Sequence, residues 1–283
     1  MATARVNGID IWYERTTPGE GTPLVLTHGF AGPSSSGWPP VIDEFRRRFD
    51  LVLYDCRAHG NTTVPDASTV TMPQFAADLA GLMDALGIDK AHIAGVSMGG
   101  MVSAQFACDF PDRLLSLWLC DTTAGNAQGP DEAANEAERR MASGIAMIAE
   151  IAEKYGVEEV VRRENRYRRE TDPYSRLSPM SLDEQDEKNR MQKCDHMTRD
   201  GYLASVRALA SRPDLTSRTP SIAVPTLVSC GDWDLFYPCA VRDARLIPNA
   251  RLVTVERAAH ATPDFAPEVW WRTGVEFLES VGR

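Results

Sequence analysis

The amino-acid sequence predicts an α/β fold, in which a mostly parallel central sheet is flanked by helices and carries an inserted helical cap. Short apolar runs alternate with segments of helical periodicity through the first 120 residues, and this alternation resumes after about residue 221. Three of the first four runs lack the apolar/polar alternation of half-exposed strands, which is typical of strands covered on both faces. The segment between, 121–221, is charged, contains Ala-rich and Glu-rich helical runs and shows little strand character.

In chain order, the apolar runs predict strands over 9–13, 23–27, 51–54, 91–96, 114–120, 226–230 and 251–255. Helical periodicity predicts helices over 72–86, 98–110, 132–149 and 267–281. Pro73 fits this assignment, because proline is tolerated in the first turn of a helix. The expected domain organisation is a core of residues 1–123 and 222–283, with residues 124–221 as the cap.

Composition excludes several classes of protein. A chain of 283 residues with 43% hydrophobic residues can bury a full core, which argues against disordered or fibrous proteins. The net charge of -10 argues against nucleic acid as a partner and favours a small neutral or apolar ligand. We expect a cytoplasmic protein with no membrane association, because the sequence shows neither a signal-peptide pattern nor an apolar run of about 18 residues. The six cysteines are scattered singly, so reduced thiols are expected.

The pentapeptide Gly95-Val96-Ser97-Met98-Gly99 is the strongest functional motif in the sequence. It follows a predicted strand and precedes a predicted helix, which is the context that a nucleophile elbow requires. In so tight a turn, side chains two residues either side of the serine would collide with the backbone, which explains both glycines. The alternative is an ordinary strand-to-helix turn. We predict that Ser97 is a nucleophile exposed at the carboxyl end of its strand.

A serine needs a base, usually a histidine oriented by a carboxylate. Of the five histidines, His260 is the candidate, because it lies between the last predicted strand and the closing helix. The candidate acid is Asp234, which follows the strand 226–230. Asp232, two residues earlier, could instead be a turn residue, and Asp121, which follows the preceding strand, is the alternative candidate for the acid. The backbone N–H groups of Phe30 and Met98 are the expected oxyanion donors, although the loop at Phe30 could also be a glycine-rich turn.

Together these residues resemble the α/β-hydrolase superfamily. The order serine, acid, histidine in the chain is the order found in that family, and the resemblance covers the chain apart from the cap. Residues 55–60 are similar to the family's structural Asp-x-Arg-Gly-His-Gly turn, with Ala58 where glycine is usual. Residues 97–101 and 119–124 resemble small bacterial esterases and 3-oxoadipate enol-lactonases. The resemblance implies no metal and no organic cofactor.

The activity expected from these residues is hydrolysis of a carboxylic ester or lactone through an acyl-enzyme. A small-molecule substrate of apolar character is expected. Two alternatives use the same three residues, namely a C–C bond hydrolase and a cofactor-free perhydrolase. A third alternative is a ligand-binding protein that keeps the fold but catalyses no reaction. The sequence leaves open the substrate, its acyl and alcohol groups, the stereochemical preference and the oligomeric state.

Overall fold

The structure of the chain is a computed structural model that describes residues 2–34, 38–62, 64 and 66–281. Eight strands form one sheet in the order β1-β2-β4-β3-β5-β6-β7-β8. The strand β2 is antiparallel to both its neighbours, and the six strands β3 to β8 pair in parallel. The strands are β1 (Ala2–Val6), β2 (Ile9–Arg15), β3 (Pro23–Thr27), β4 (Asp50–Tyr54), β5 (Ala91–Val96), β6 (Leu114–Cys120), β7 (Thr226–Gly231) and β8 (Ala250–Val255).

Helices follow most of the parallel strands, and several begin at residues that satisfy the free N–H groups of a first turn. Thr71 accepts a hydrogen bond at the start of α2, and Ser181 with Glu184 forms a capping box at the start of α6. The helices are α1 (Ile42–Arg46), α2 (Met72–Ala85), α3 (Met98–Asp109), α4 (Glu132–Tyr155), α5 (Val157–Glu170), α6 (Leu182–Arg190), α7 (Arg199–Ala210), α8 (Tyr237–Leu246), α9 (Thr262–Phe265) and α10 (Pro267–Ser280).

Two apolar clusters bury the sheet on its opposite faces. The larger one contains apolar residues of α2 and α3 and continues into helices α4, α5 and α7. The smaller one is built on Trp118 of β6, whose ring stacks 5.4 Å from that of Trp270 on α10. Gly274 lets α10 approach this closely, because a Cβ there would lie 2.2 Å from the Trp118 ring. The strands are therefore covered on both faces, as their unbroken apolar runs indicate.

Helices α4 to α7 all lie between β6 and β7, so this insertion occupies the segment for which helices were predicted. It is tied to the sheet by a buried ionic network. Arg242 on α8 lies 2.9 Å from Glu138 on α4 and 2.9 Å from Asp243, and all three side chains are almost fully buried. The Asp243 carboxylate also accepts a hydrogen bond from the Ala124 N–H at 2.8 Å. Burial raises the pKa of Asp243 to about 6, against the opposing effect of Arg242.

The observed elements confirm the predicted fold class, and the predicted strand and core-helix bounds agree with the structure to within two residues. Sequence patterns missed β1, α1, α8 and α9, and of the cap helices they gave bounds only for α4. The cap helix predicted over 132–149 continues to Tyr155. All six cysteines are free, and no helix in the described ranges combines the length and apolarity needed to cross a membrane.

Ala58, the departure from the family's usual glycine, adopts a φ of 65°. That is the left-handed region, which glycine enters without strain. The loop therefore keeps a backbone conformation suited to glycine, although this conformation costs free energy for an alanine. Arg57 in the same turn makes a buried ion pair with Asp78 at 2.8 Å. Gly60 is required here, because a Cβ would lie 2.1 Å from the Asp55 carboxylate. The turn is structural, as the resemblance implies.

Candidate active site

Ser97 lies at the sharp turn between β5 and α3, with a φ of 56° and a ψ of -118°. Both glycines of the pentapeptide face backbone at close range. A Cβ on Gly95 would lie 2.1 Å from the Gly99 carbonyl oxygen, and a Cβ on Gly99 would lie 2.1 Å from the Thr27 carbonyl oxygen. Any side chain at either position would therefore force the turn apart. The strained backbone lifts the Ser97 side chain above the carboxyl edge of the parallel strands.

Three residues from distant parts of the chain form a continuous hydrogen-bonded row at this edge. The Ser97 Oγ lies 2.9 Å from His260 Nε2, and His260 Nδ1 lies 2.8 Å from Asp234 Oδ2. The other oxygen of Asp234 accepts the Phe236 N–H at 2.9 Å, and the carboxylate is fully buried. The His260 side chain, in contrast, is 45% exposed to solvent. This geometry allows the imidazole to receive the serine proton while the carboxylate fixes its orientation.

Electrostatics at the site stabilise the imidazolium that forms when His260 accepts a proton. Partial burial lowers the pKa of His260, but the Asp234 carboxylate outweighs this effect. With smaller contributions from Asp121 and Asp264, it raises the pKa of His260 to about 9. An imidazolium formed when the serine attacks is therefore stabilised by the adjacent carboxylate.

The residues expected to supply the oxyanion donors lie near the serine, since Met98 follows Ser97 in the chain and Phe30 lines the same cavity as Ser97. Met98 is the first residue of α3, where an N–H has no partner within the helix. Phe30 lies in the loop after β3, and within the described part of the chain neither amide donates to another protein atom. The Gly29 Cα is also close to the serine, since a Cβ there would lie 3.6 Å from the Ser97 Cβ. Among the described residues, both amides are therefore available as hydrogen-bond donors.

A cavity of about 290 Å³ opens above Ser97 and His260. Its apolar wall comes from Phe30, Trp38 and Pro263, while α6 and the π-helical turn that follows it provide amide and ammonium groups. These residues are Lys188, Asn189, Gln192 and Lys193. Lys188 is paired with Asp264 at 2.6 Å, and Lys193 is paired with Glu164. The lining is therefore mixed, and the polar side was not predicted, because helical charge patterns do not show which face meets a cavity.

Trp38 has two roles in the structure. Its ring stacks 5.7 Å from Trp270, and its edge lines the cavity. Asp232 does not bond His260 in the described part of the chain. Its carboxylate accepts the Arg257 N–H at 2.7 Å, which is the contact of a turn residue. Asp121 is fully buried behind the row of three residues and does not contact His260 directly.

Among the described residues, one group of side chains could converge on a metal ion, namely Asp121, Cys230 and Asp234. Both carboxylates of this group already accept hydrogen bonds from backbone or side-chain donors. Burial raises the pKa of the Cys230 thiol far above its usual range, so the sulfur is held protonated. A protonated thiol is a poor metal ligand, and the donor set does not fit a metal site.

Comparison with known proteins places this geometry in a family. A model described as the alpha/beta hydrolase fold matches residues 22–155. A thermophilic esterase from Thermogutta terrifontis is 30% identical and superposes with a TM-score of 0.77, covering 100% of this chain and 98% of the esterase. The chain belongs to the α/β-hydrolase family. The enol-lactonase from Burkholderia xenovorans LB400 is 27% identical with a TM-score of 0.79, covering 98% of this chain and 99% of the lactonase.

Another relative of this α/β-hydrolase is a 2-hydroxy-6-oxononadienedioate/2-hydroxy-6-oxononatrienedioate hydrolase from Paraburkholderia phymatum. It is 29% identical over 259 residues, which cover 88% of this chain and 84% of the relative. The predicted family and fold are thereby confirmed, and the chain is a hydrolase. The relatives include enzymes named for different substrates, so similarity alone does not select one.

Proposed function

We propose that this α/β-hydrolase cleaves a carboxylic ester or a lactone through an acyl-enzyme formed on Ser97. The observation that carries this proposal is the hydrogen-bonded row from Ser97 through His260 to Asp234, which starts at a nucleophile elbow. A serine hydroxyl attacks a carbonyl only when a base accepts its proton, and His260 lies at the distance that this transfer needs.

In the proposed reaction, Ser97 Oγ bonds to the carbonyl carbon as its proton passes to His260 Nε2. The Phe30 and Met98 N–H groups stabilise the tetrahedral oxyanion. His260 then protonates the leaving alkoxide, which departs as an alcohol and leaves the acyl group on Ser97. A water molecule that gives its proton to His260 attacks the ester, and His260 returns the proton to Ser97 as the acid is released.

The cavity supports a small substrate, since about 290 Å³ lies at the low end for small-molecule sites. We infer that residues 124–221 act as a cap over a core of residues 1–123 and 222–283. This inference is supported by Lys188, Asn189 and Lys193, which lie in that segment and line the cavity above Ser97. The cap would then select the acyl and alcohol groups.

The proposal is tested with a fluorophosphonate probe, which reacts with activated serines. Parent protein should be labelled, Ser97→Ala should not, and Ser143→Ala should be labelled like the parent, because Ser143 is an exposed serine on α4 that only bonds the Arg139 carbonyl. Labelling that persists in Ser97→Ala would refute Ser97 as nucleophile. An unlabelled parent would favour a ligand-binding protein without catalytic activity.

Short-chain p-nitrophenyl esters and simple lactones then separate the candidate reactions. The ester and lactone proposal expects turnover of at least one of these substrates and none in Ser97→Ala. A C–C hydrolase remains the second candidate, because the relative from Paraburkholderia phymatum is named as a hydrolase of 2-hydroxy-6-oxononadienedioate. Turnover of a ring-fission dienone without turnover of any ester would establish that candidate instead, and peroxide-dependent oxidation would indicate a perhydrolase.

A further inference from the structure

The carboxyl end of β6 contacts all three segments that carry the proposed catalytic residues. The Cys120 carbonyl accepts the Ser97 N–H at 2.9 Å, and the Thr122 hydroxyl donates to the Ser97 carbonyl at 2.7 Å. Asp121, between them, reaches the other two segments through its side chain. Three consecutive residues therefore join the nucleophile, the acid strand and the base loop.

Both carboxylate oxygens of Asp121 are used in these contacts. Oδ1 accepts the Gly231 N–H at 3.2 Å, at the end of the strand that leads to Asp234. Oδ2 accepts the Thr262 N–H at 2.6 Å and the Thr262 hydroxyl at 2.8 Å, two residues after His260. The side chain is fully buried, and the Asp121 backbone adopts a φ of 48°, a conformation that costs free energy in a non-glycine residue.

From these contacts we propose that Asp121 is a positioning residue, whose carboxylate holds the His260 loop against the end of the Asp234 strand. The inference rests on the proposed function. Asp121 is not the acid itself, since His260 Nδ1 bonds Asp234 and both Asp121 oxygens are occupied elsewhere. The distance from His260 to Asp234 depends on two loops, which also bond to each other through the Trp233 N–H and the Ala258 carbonyl at 3.1 Å. The Asp121 carboxylate adds bonds to both segments from the neighbouring strand.

The same carboxylate contributes a negative charge close to the imidazole. Four titratable groups face Asp121. Cys230 lies in β7 and Asp234 in the loop after it, His260 lies in the loop after β8, and Cys120 lies on the same strand as Asp121. Farther out, Asp264 also faces His260 and is paired with Lys188. Burial and the nearby Asp234 raise the pKa of Asp121, while its own charge raises the pKa of His260.

The decisive variant is Asp121→Asn, which keeps the shape but replaces one acceptor oxygen with an N–H donor. That donor must face either the Gly231 N–H or the Thr262 N–H, so one of the two loops is released. We expect kcat for an ester to fall about 10- to 100-fold with KM within about twofold, because a shifted base slows proton transfer without removing a substrate contact. The apparent pKa of His260 should fall by about one unit, since a nearby negative charge is lost.

Asp243→Asn is the matched control, because Asp243 is an equally buried carboxylate with a raised pKa that does not face His260. It should lower the melting temperature while leaving the apparent pKa of His260 and kcat near the parental values. An Asp121→Asn protein that folds and keeps both parental values overturns the proposal, and so does a change confined to KM.

A second pair of variants decides the matter if Asp121→Asn does not fold. Thr262→Ser keeps the hydroxyl donor and should keep kcat within about twofold, whereas Thr262→Val removes it and should lower kcat about 3- to 10-fold. Equal kcat values in the two variants would overturn the proposal. The pKa of His260 is also read by NMR titration of the imidazole, which needs no turnover. If the parent hydrolyses neither an ester nor a lactone, the proposed function fails. A shift of this titration in Thr262→Val but not in Thr262→Ser still supports the positioning role, because neither variant removes a charge, and equal titrations in the two variants reject it.

Discussion

Substitution of Gly99 by alanine tests whether the elbow tolerates any side chain. The added Cβ would lie 2.1 Å from the Thr27 carbonyl oxygen and 2.6 Å from that of His28, both backbone atoms at the end of β3. A carbon and an oxygen in contact stay about 3.3 Å apart, so α3 must move by about 1 Å relative to β3. The Met98 N–H, one residue before Gly99, moves with the helix and away from the oxyanion position.

A misplacement of about 1 Å costs on the order of 100-fold in rate, which equals about 2.7 kcal/mol of transition-state stabilisation. Overpacking should also lower the free energy of unfolding by about 1–3 kcal/mol. The rate of fluorophosphonate labelling measures the first effect and urea denaturation the second. Gly144→Ala is the control, because nothing lies within 4 Å of that Cβ in the middle of α4, and there alanine should stabilise the protein by about 1 kcal/mol. A Gly99→Ala protein with parental labelling rate and stability would refute this reasoning.

Three further predictions concern the proposed acid, the ionic network and pH. Asp234→Asn should lower kcat about 10³- to 10⁴-fold and shift the pH profile of kcat/KM to lower pH, because Asp234 raises the pKa of His260 to about 9; a parental profile would contradict this. Arg242→Met should lower the free energy of unfolding by about 3–5 kcal/mol in urea titrations, because it leaves Glu138 buried without its partner, whereas an unchanged midpoint would contradict the pairing. Stability should fall as the pH drops from 6.5 towards 4, since burial lowers the folded-state pKa of three histidines and the unfolded chain then binds more protons. Burial also raises the pKa of three carboxyl groups, Asp55, Asp121 and Asp243, and these oppose the fall. The pKa values of Asp121 and Asp243 rise only from 3.8 to about 6, whereas those of the histidines fall from 6.5 to about 3–4, so the histidines dominate; greater stability at pH 5 than at pH 6.5 would refute this. The three histidines are His28, His59 and His92, with pKa values of about 4, 3 and 4.

The parallel strands could be predicted because each is a short apolar run, and β3 to β7 are buried on both faces. The strand predicted over 23–27, for example, is β3 with the same bounds. The missed elements have weaker local signals. The strand β1 is mostly exposed along its length, and α1 is only five residues long. Helix α8 begins with Tyr237 and Pro238, shortly after Asp234. No helix was predicted between the strands 226–230 and 251–255.

The cavity lining could not be predicted from the charged segment 121–221. Lys188 and Asn189 are neighbours on α6, and nothing in their sequence distinguishes them from the polar residues that face solvent on the same helix. Their position over Ser97 follows from the packing of α5 and α6, in which Asn189 donates to Asn165 at 2.8 Å. Contacts between helices far apart in the chain decide which charged residues line a site.

The nucleophile elbow was determined by the sequence alone, because the requirement is local. Five consecutive residues between a strand and a helix fix the turn, and Gly95 and Gly99 are needed wherever such a turn closes on itself. Which carboxylate reaches His260 was decided only by the tertiary structure. Asp121, Asp232 and Asp234 all follow parallel strands, yet Asp234 alone of the three bonds the imidazole, at 2.8 Å, among the residues that the structure describes. A hydrogen bond requires tenths of an ångström in placement, and that precision arises from the tertiary packing of the two loops that carry Asp234 and His260.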